Sequence, residues 1–201
     1  MNSTLLPSLP AVDDVLFDFA QSDGLSQINQ VAGARNQGLT APELNAVVFL
    51  DAGVTDYQSL QAGVIPGVAT VILSPNQDGI EQITTFLPQN PHITTIHLVS
   101  HGALGCLYLG NCQLNLTNIY DYRQQLQNWA KINRILLYGC NVAAGDAGTE
   151  FITKLSQITG AKIAASSRRV GNAALGGSWQ LEVSFPVTKG ENKTFVETLA
   201  N

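Results

Sequence analysis

Two residues that together suit nucleophilic catalysis follow apolar runs of the sequence. His101 comes directly after the run 93–100, and Cys140 comes directly after the run 134–139. A thiolate is a strong nucleophile, and a nearby imidazole can take the thiol proton and later protonate a leaving amine. Sites in open parallel sheets form beyond the carboxyl ends of the strands. If the two runs are neighbouring strands, their ends lie about 5 Å apart, which predicts a cysteine–histidine dyad.

Glycines flank both candidate catalytic residues. Gly102 follows the histidine, and Gly139 precedes Cys140. The N–H of Gly102 can approach a substrate oxygen because no side chain stands in the way, and with the N–H of Cys140 it would form an oxyanion hole. We expect Gly139 to let the substrate backbone pass close to the nucleophile.

Two other predicted strand ends supply candidate substrate-binding residues. The first apolar run ends at Asp51, and the last parallel run is followed by Ser167 and Arg168. A guanidinium grips a carboxylate with two parallel hydrogen bonds, whereas a carboxylate at a pocket floor selects arginine or lysine. We favour Arg168 and an acidic substrate residue. The alternatives are that Asp51 caps the following turn and that Arg168 and Arg169 are a solvated pair.

Apolar runs alternate with amphipathic helical segments over most of the chain, which is typical of an α/β fold with a parallel sheet covered by helices on both faces. The predicted parallel strands are 46–51, 68–73, 93–100, 134–139 and 161–166, with an edge strand at 178–184. Predicted helices follow caps at Thr55, Asp78 and Asp146, and one more carries Ile119, Tyr122, Leu126 and Trp129 on one stripe. The segments 106–109 and 112–115 predict a hairpin.

The sequence divides into three predicted parts. Residues 1–45 form a lead-in with a short amphipathic helix and a loop-rich stretch, 46–186 form the α/β domain, and 187–201 form a C-terminal tail. A net charge of −5 without any basic run argues against nucleic acid as a partner. No stretch approaches the roughly 20 apolar residues of a membrane span. The first residues lack a basic segment, so we expect a protein that is cytoplasmic or exported without a cleavable signal.

The strand ends that carry the dyad resemble known motifs. The segments 96–102 (IHLVSHG) and 135–143 (ILLYGCNVA) are similar to the His-Gly and Cys motifs of the caspase-like cysteine peptidases. Together with 49–51, 56–60 and 173–179, they resemble a bacterial family of domains of unknown function within that clan. Members often occur near the N-termini of large adhesin-like surface proteins with cadherin-like repeats. The resemblance implies a three-layer caspase-like fold and a Cys-His dyad.

Two functions remain open at this point. One is a cysteine endopeptidase with Cys140 as nucleophile and His101 as general acid and base, acting on a polypeptide that is either a partner or its own chain. The other is a catalytically silent module for secretion, assembly or surface attachment of a larger protein. We expect no cofactor and no metal, since His97, His101 and Cys106 have no obvious further ligand pair. Arg168 and Arg169 depart from the small polar or acidic pair that the family resemblance leads us to expect.

Overall fold

The computed structural model describes residues 45–64 and 68–186. The predicted lead-in helix before residue 45 and the predicted tail 187–201 lie outside the described residues. The strands are β1 (Ala46–Asp51), β2 (Ala69–Leu73), β3 (Thr95–Val99), β4 (His101–Ala103), β5 (Cys106–Leu109), β6 (Cys112–Asn115), β7 (Arg134–Tyr138), β8 (Lys162–Ala165) and β9 (Val183–Phe185). The helices are α1 (Tyr57–Gly63), α2 (Gly79–Phe86), α3 (Arg123–Gln127) and α4 (Gly145–Thr159).

The main sheet has the order β2-β1-β3-β7-β8-β9. Its first five strands are parallel, as the sequence predicts, because each is joined to the next by a crossover segment. Only β9 runs antiparallel, at the edge beside β8. The dyad prediction depends on β3 and β7 being neighbours, and this adjacency is confirmed.

The sheet is covered on both faces, which confirms the three-layer α/β arrangement. One face carries the larger core, where alternate strand residues meet the apolar sides of α2, α3 and α4. The other face carries a smaller cluster, against which α1 and the loop that contains Val170 and Trp179 pack. The apolar side chains of successive strand residues alternate between these two cores, as expected for a sheet buried on both faces.

A second, three-stranded sheet of order β4-β5-β6 follows β3. The predicted hairpin is confirmed with its register, in which Cys106 pairs with Asn115 and Leu109 with Cys112. Gly110 at its tip has φ +61°, a conformation that favours glycine. Because β4 begins at His101 and pairs with β5, this small sheet carries the backbone of the predicted catalytic histidine.

Helix ends depart from the sequence prediction in places. Asp78 caps α2 as predicted, with its side chain accepting from the N–H groups of Ile80 and Glu81. The caps expected at Thr55 and Asp146 are wrong, because Asp56 precedes α1 and Ala144 precedes α4, where Asp146 lies in the first turn.

Two predicted elements are shorter than expected. Ile119, Leu126 and Trp129 of the predicted stripe are buried and Tyr122 is partly buried, but only Arg123–Gln127 is α-helical. The Asn118 side chain accepts from the Asn115 N–H and donates to the Gln113 carbonyl, which holds this part of the chain in turns. Hydrogen bonds from asparagine side chains to nearby backbone commonly compete with helix formation in this way. The edge strand predicted at 178–184 is reduced to Val183–Phe185, because Ser178 bonds to the loop after β8. No helix within the described ranges has the length and apolar character needed to cross a membrane.

Candidate functional site

The loops that follow β3 and β7 pack backbone against backbone. Val99 pairs with Tyr138 in the parallel ladder, and the N–H of Ser100 donates to the Tyr138 carbonyl at 3.3 Å. A Cβ built on Gly102 would lie 2.9 Å from both the Gly139 carbonyl carbon and the Cys140 carbonyl oxygen. This packing requires a glycine at 102 whatever the substrate. It also brings His101 and Cys140 to adjoining strand ends.

The His101 side chain is exposed and held by one hydrogen bond. Its Nε2 lies 3.1 Å from the carbonyl oxygen of Gly53, in the loop after β1. A carbonyl oxygen only accepts, so Nε2 must carry the hydrogen of this bond. In the neutral ring, Nδ1 is then the unprotonated nitrogen and is available to take a proton.

The Cys140 sulfur is half-buried and lies against the backbone of Val170. The Val170 N–H donates to Sγ at 3.4 Å, and the Val170 carbonyl oxygen lies 3.6 Å from Sγ. No hydrogen bond joins Cys140 to His101 in this conformation of the described chain. The N–H of Cys140 donates to no oxygen within the described residues.

The residue after Cys140 is fixed in an uncommon conformation. Asn141 has φ +60°, which asparagine tolerates better than most residues. Its N–H donates to the Arg168 carbonyl at 2.8 Å, and the Ala143 N–H donates to the Ser166 carbonyl at 3.0 Å. The loop after β8 is therefore tied to the loop that carries Cys140.

Asp51 is buried at the end of β1, with both carboxylate oxygens in use. Oδ1 accepts from the Gly53 N–H at 2.7 Å, and Oδ2 accepts from the Gly110 N–H at 2.5 Å. The first bond closes the turn after β1, which is the role that the sequence analysis gave as the alternative to substrate binding by Asp51. The second joins residues 59 positions apart, and no local sequence signal indicates it.

Ser167 and Arg168, which are also predicted to bind substrate, differ in their surroundings. Ser167 is engaged, because its N–H and Oγ donate to Glu182 Oε1 at 2.8 and 2.7 Å. Partial burial raises the pKa of the Glu182 carboxyl, but the hydrogen bonds from Ser167 and Ser166 outweigh it, so the pKa is lowered overall. Arg168 is exposed, and within the described chain its guanidinium has no ion-pair partner.

The other two cysteines lie in the hairpin and are free thiols. Burial raises the pKa of both Cys106 and Cys112, which lowers their thiolate fraction at neutral pH. Over the described ranges, no three His, Cys, Asp or Glu residues are grouped so that they could hold a metal ion. Cys106 and Cys112 therefore serve as internal references for the reactivity of Cys140.

Three residues of this site escaped the sequence analysis. Gly53, Val170 and Glu182 contact His101, Cys140 and Ser167 respectively. Only Gly53 had a usable signal, because an aspartate two residues before a glycine is typical of a turn closed by its side chain. The contacts of Val170 and Glu182 depend on how the loop after β8 folds back over the sheet.

The fold and this geometry define a class: an α/β domain with a histidine and a cysteine at adjoining carboxyl ends of a parallel sheet. Comparison with known families identifies the chain further. It belongs to the family described as Domain of unknown function (DUF4347), whose sequence profile matches residues 47–200. No curated protein matches the chain.

Solved structures offer only distant likenesses. A decarboxylase from Sulfurospirillum multivorans is 15% identical, with 65% of this chain and 37% of that chain covered and a TM-score of 0.37. Caspase-1 from Spodoptera frugiperda is 15% identical, with 50% and 47% covered and a TM-score of 0.27. A structure titled pro-sf-caspase-1 is also 15% identical, with 50% and 46% covered and a TM-score of 0.27. The chain spans less than half the length of each, and likenesses of this size identify no activity.

Proposed function

We propose that this domain is a cysteine endopeptidase of the caspase-like clan, in which Cys140 is the nucleophile and His101 the general acid and base. The observation that carries the proposal is the backbone packing of Gly102 against Gly139 and Cys140, which leaves no room for a Cβ. Because of this contact, the backbones of His101 and Cys140 lie at the same carboxyl end of the sheet, after neighbouring strands. The polypeptide substrate is either a partner or the protein's own chain.

The proposed reaction gives each donor and acceptor of the site one role. His101 Nδ1 takes the Cys140 thiol proton, and the thiolate attacks the substrate carbonyl carbon to form the C–S bond. The oxyanion accepts hydrogen bonds from the N–H groups of Cys140 and Gly102. The imidazolium then gives its proton to the leaving amine as the C–N bond breaks. Water hydrolyses the resulting thioester with His101 as base, which restores the thiol.

A second candidate is a catalytically silent module of a larger surface protein. The observation that favours it is the contact of the Cys140 sulfur with the Val170 backbone instead of with His101. In the peptidase, the Cys140 sulfur would leave Val170 and move to the histidine, and the Val170 N–H would stabilise the thiolate before that step. In the silent module, the sulfur would simply be a packed thiol.

Cleavage of a random peptide library by the full chain tests the choice between the two candidates. The peptidase produces new N-termini that disappear in the Cys140→Ala and His101→Ala variants, because each lacks one member of the proposed dyad. The matched control is Cys112→Ala, which keeps the dyad and should cut the same peptides. If the wild-type protein and Cys140→Ala release the same set of products, the cleavage comes from a contaminant and the silent module is favoured.

For specificity, we assign Arg168 to the substrate residue before the scissile bond. Its guanidinium is exposed and without an ion pair in the described chain, and its carbonyl is fixed beside Cys140 by Asn141. Both oxygens of Asp51, the other candidate, are bonded to backbone N–H groups. We therefore expect the site to prefer an acidic residue.

Matched peptides with aspartate, asparagine or arginine before the scissile bond test this assignment. The aspartyl peptide should be cut fastest, and Arg168→Ala should lower its kcat/KM by roughly 10–100-fold, since a hydrogen bond to a charged group contributes about 1.5–3 kcal/mol. Arg169→Ala is the matched control and should leave the preference unchanged. Faster cleavage of the arginyl peptide, with the preference lost in Asp51→Ala, would make Asp51 the selector instead.

A further inference from the structure

We infer that Asp51 is a positioning residue for His101, through hydrogen bonds to two different loops. The inference rests on the proposed function, since it concerns how the proposed general base is held. Within the described chain, the Asp51 carboxylate makes no hydrogen bond to the histidine or to the cysteine. It fixes both the acceptor of the His101 ring and the small sheet that carries the His101 backbone.

The first link runs from Asp51 to the ring of His101. Asp51 Oδ1 accepts from the Gly53 N–H at 2.7 Å, and the Gly53 carbonyl accepts from His101 Nε2 at 3.1 Å. The turn is closed at its base as well, because the Val54 N–H donates to the Asp51 carbonyl at 3.0 Å. Gly53 itself is exposed, so little besides these bonds holds its carbonyl in place.

The second link runs from Asp51 to the backbone of His101. Oδ2 accepts from the N–H of Gly110 at the tip of the β5–β6 hairpin. A Cβ on Gly110 would lie 2.8 Å from the Ser74 carbonyl oxygen and nearer still to that of Gln77, so the tip is packed closely at this point. Strand β5 pairs with β4, and β4 begins at His101. A displaced hairpin tip would therefore shift the histidine backbone.

The two links converge on the orientation of one imidazole. A hydrogen bond from Nε2 to a fixed carbonyl selects the tautomer with a free Nδ1 and favours the protonated ring that forms when the thiol ionises. An asparagine at this position keeps one acceptor oxygen and places an NH2 donor where the other stood, so the N–H of either Gly53 or Gly110 loses its acceptor and one of the two links to the ring is broken. We therefore expect a smaller population of the thiolate–imidazolium pair and an unchanged affinity for substrate.

The thiolate–imidazolium pair can be measured without a substrate. The full chain is alkylated by iodoacetamide from pH 5 to 9, and peptide mass spectrometry gives the alkylation rate at each cysteine. In Asp51→Asn, we expect the Cys140 rate at pH 7 to fall about tenfold and the half-maximal rate to move up by about one pH unit, equivalent to a tenfold change in the equilibrium. In the same experiment Gly53→Ala should act alike, because its Cβ would lie 2.8 Å from Asp51 Oδ1 and displace the carboxylate.

The matched control is Asp78→Asn. Asp78 also accepts from two backbone N–H groups, at the start of α2, and it neighbours Gly110, but it has no bond to Gly53 or His101. Its variant should be less stable yet keep the wild-type pH profile at Cys140. If Asp51→Asn does not fold, Gly53→Ala decides the question.

The outcomes separate this inference from the proposed function. A wild-type pH profile in both Asp51→Asn and Gly53→Ala overturns the positioning role and leaves the dyad intact. If Cys140 of the wild-type protein reacts no faster than Cys106 and Cys112, or keeps its rate in His101→Ala, then the dyad is wrong and the inference falls with it.

Discussion

At the scale of single residues, the site depends on positions where a side chain is missing. Gly102 is the clearest case, because its absent Cβ leaves space for the Cys140 carbonyl and for Val142. The sequence predicts that this glycine supplies an N–H to an oxyanion hole, and the structure gives it a packing role as well. Both roles depend on the close approach of the two strand ends.

Replacement of Gly102 by alanine should therefore affect stability and reactivity together. The new Cβ would lie 2.7 Å from Val142 Cγ2 and 2.9 Å from backbone atoms that cannot move freely. We expect a loss of about 1–3 kcal/mol in the free energy of unfolding, the usual cost of overpacking, and slower alkylation of Cys140. The control is Gly160→Ala, where φ is +76° and no atom lies within 4 Å of the built Cβ. It should cost about 1–2 kcal/mol without changing Cys140, and normal Cys140 reactivity in Gly102→Ala would contradict this account.

His97 is a second residue whose surroundings have a measurable consequence. It is fully buried between Val48 and Leu136 on the smaller core's face, and neither ring nitrogen has a hydrogen-bond partner. Burial, followed by the nearby charge of Arg134, lowers the pKa of His97 from 6.5 to about 3. The folded protein therefore keeps this ring neutral at pH values where an unfolded chain would protonate it.

This difference predicts acid sensitivity. Below about pH 6.5 the His97 ring takes up a proton in the unfolded chain, whereas in the folded chain it stays neutral down to about pH 3. The free energy of unfolding should therefore fall as the pH drops through this window. Each pK unit corresponds to about 1.4 kcal/mol, which makes the total several kcal/mol. Urea unfolding of His97→Phe should show a much flatter dependence between pH 6.5 and 4. The control His92→Gln, at an exposed histidine, should follow the wild type; identical curves for His97→Phe and the wild type would refute the assignment.

At the scale of elements, the regular strands could be predicted and the loop contacts could not. Strand β1 and the hairpin strands match the predicted bounds because their apolar runs and turn residues are local signals. The contact of Val170 with Cys140 depends instead on where the loop after β8 returns, which hydrophobic pattern does not encode. For the same reason the sequence predicted His101 and Cys140 at the ends of neighbouring strands but not Gly53 as the partner of His101.

Glu182 joins the end of the loop after β8 to the start of that loop, which is also bonded to Asn141 and Ala143. Its Oε1 accepts from the Ser167 N–H and Oγ, and Ser166 Oγ lies 3.4 Å away. Glu182→Gln removes the charge of this acceptor, so we expect faster amide hydrogen exchange at Ser167 and in the residues up to Val170. Glu150→Gln is the control, since Glu150 pairs only with Lys154 on the exposed side of α4. Unchanged exchange at Ser167 would show that other contacts order this loop.

At the scale of the whole molecule, one α/β domain joins two sheets around the proposed site. The main sheet brings the ends of β3 and β7 together, and the small sheet extends from His101. The alternation of strands and helices along the chain was predictable. The order of the strands within the sheet was not, because the sequence carries no direct signal for which strands are neighbours. The division into 1–45, 46–186 and 187–201 stays a prediction, and the family match covers 47–200.

The measurement that tests the central claim most directly is labelling of the full chain with a peptide probe that carries a thiol-reactive group. The account predicts selective labelling of Cys140 over Cys106 and Cys112, whose buried thiols have raised pKa values. It also predicts that His101→Ala slows labelling of Cys140 by about tenfold or more, since general base catalysis typically contributes at least this much. Equal, slow labelling of all three cysteines in the wild type, or a Cys140 rate that is the same in His101→Ala, would contradict the dyad.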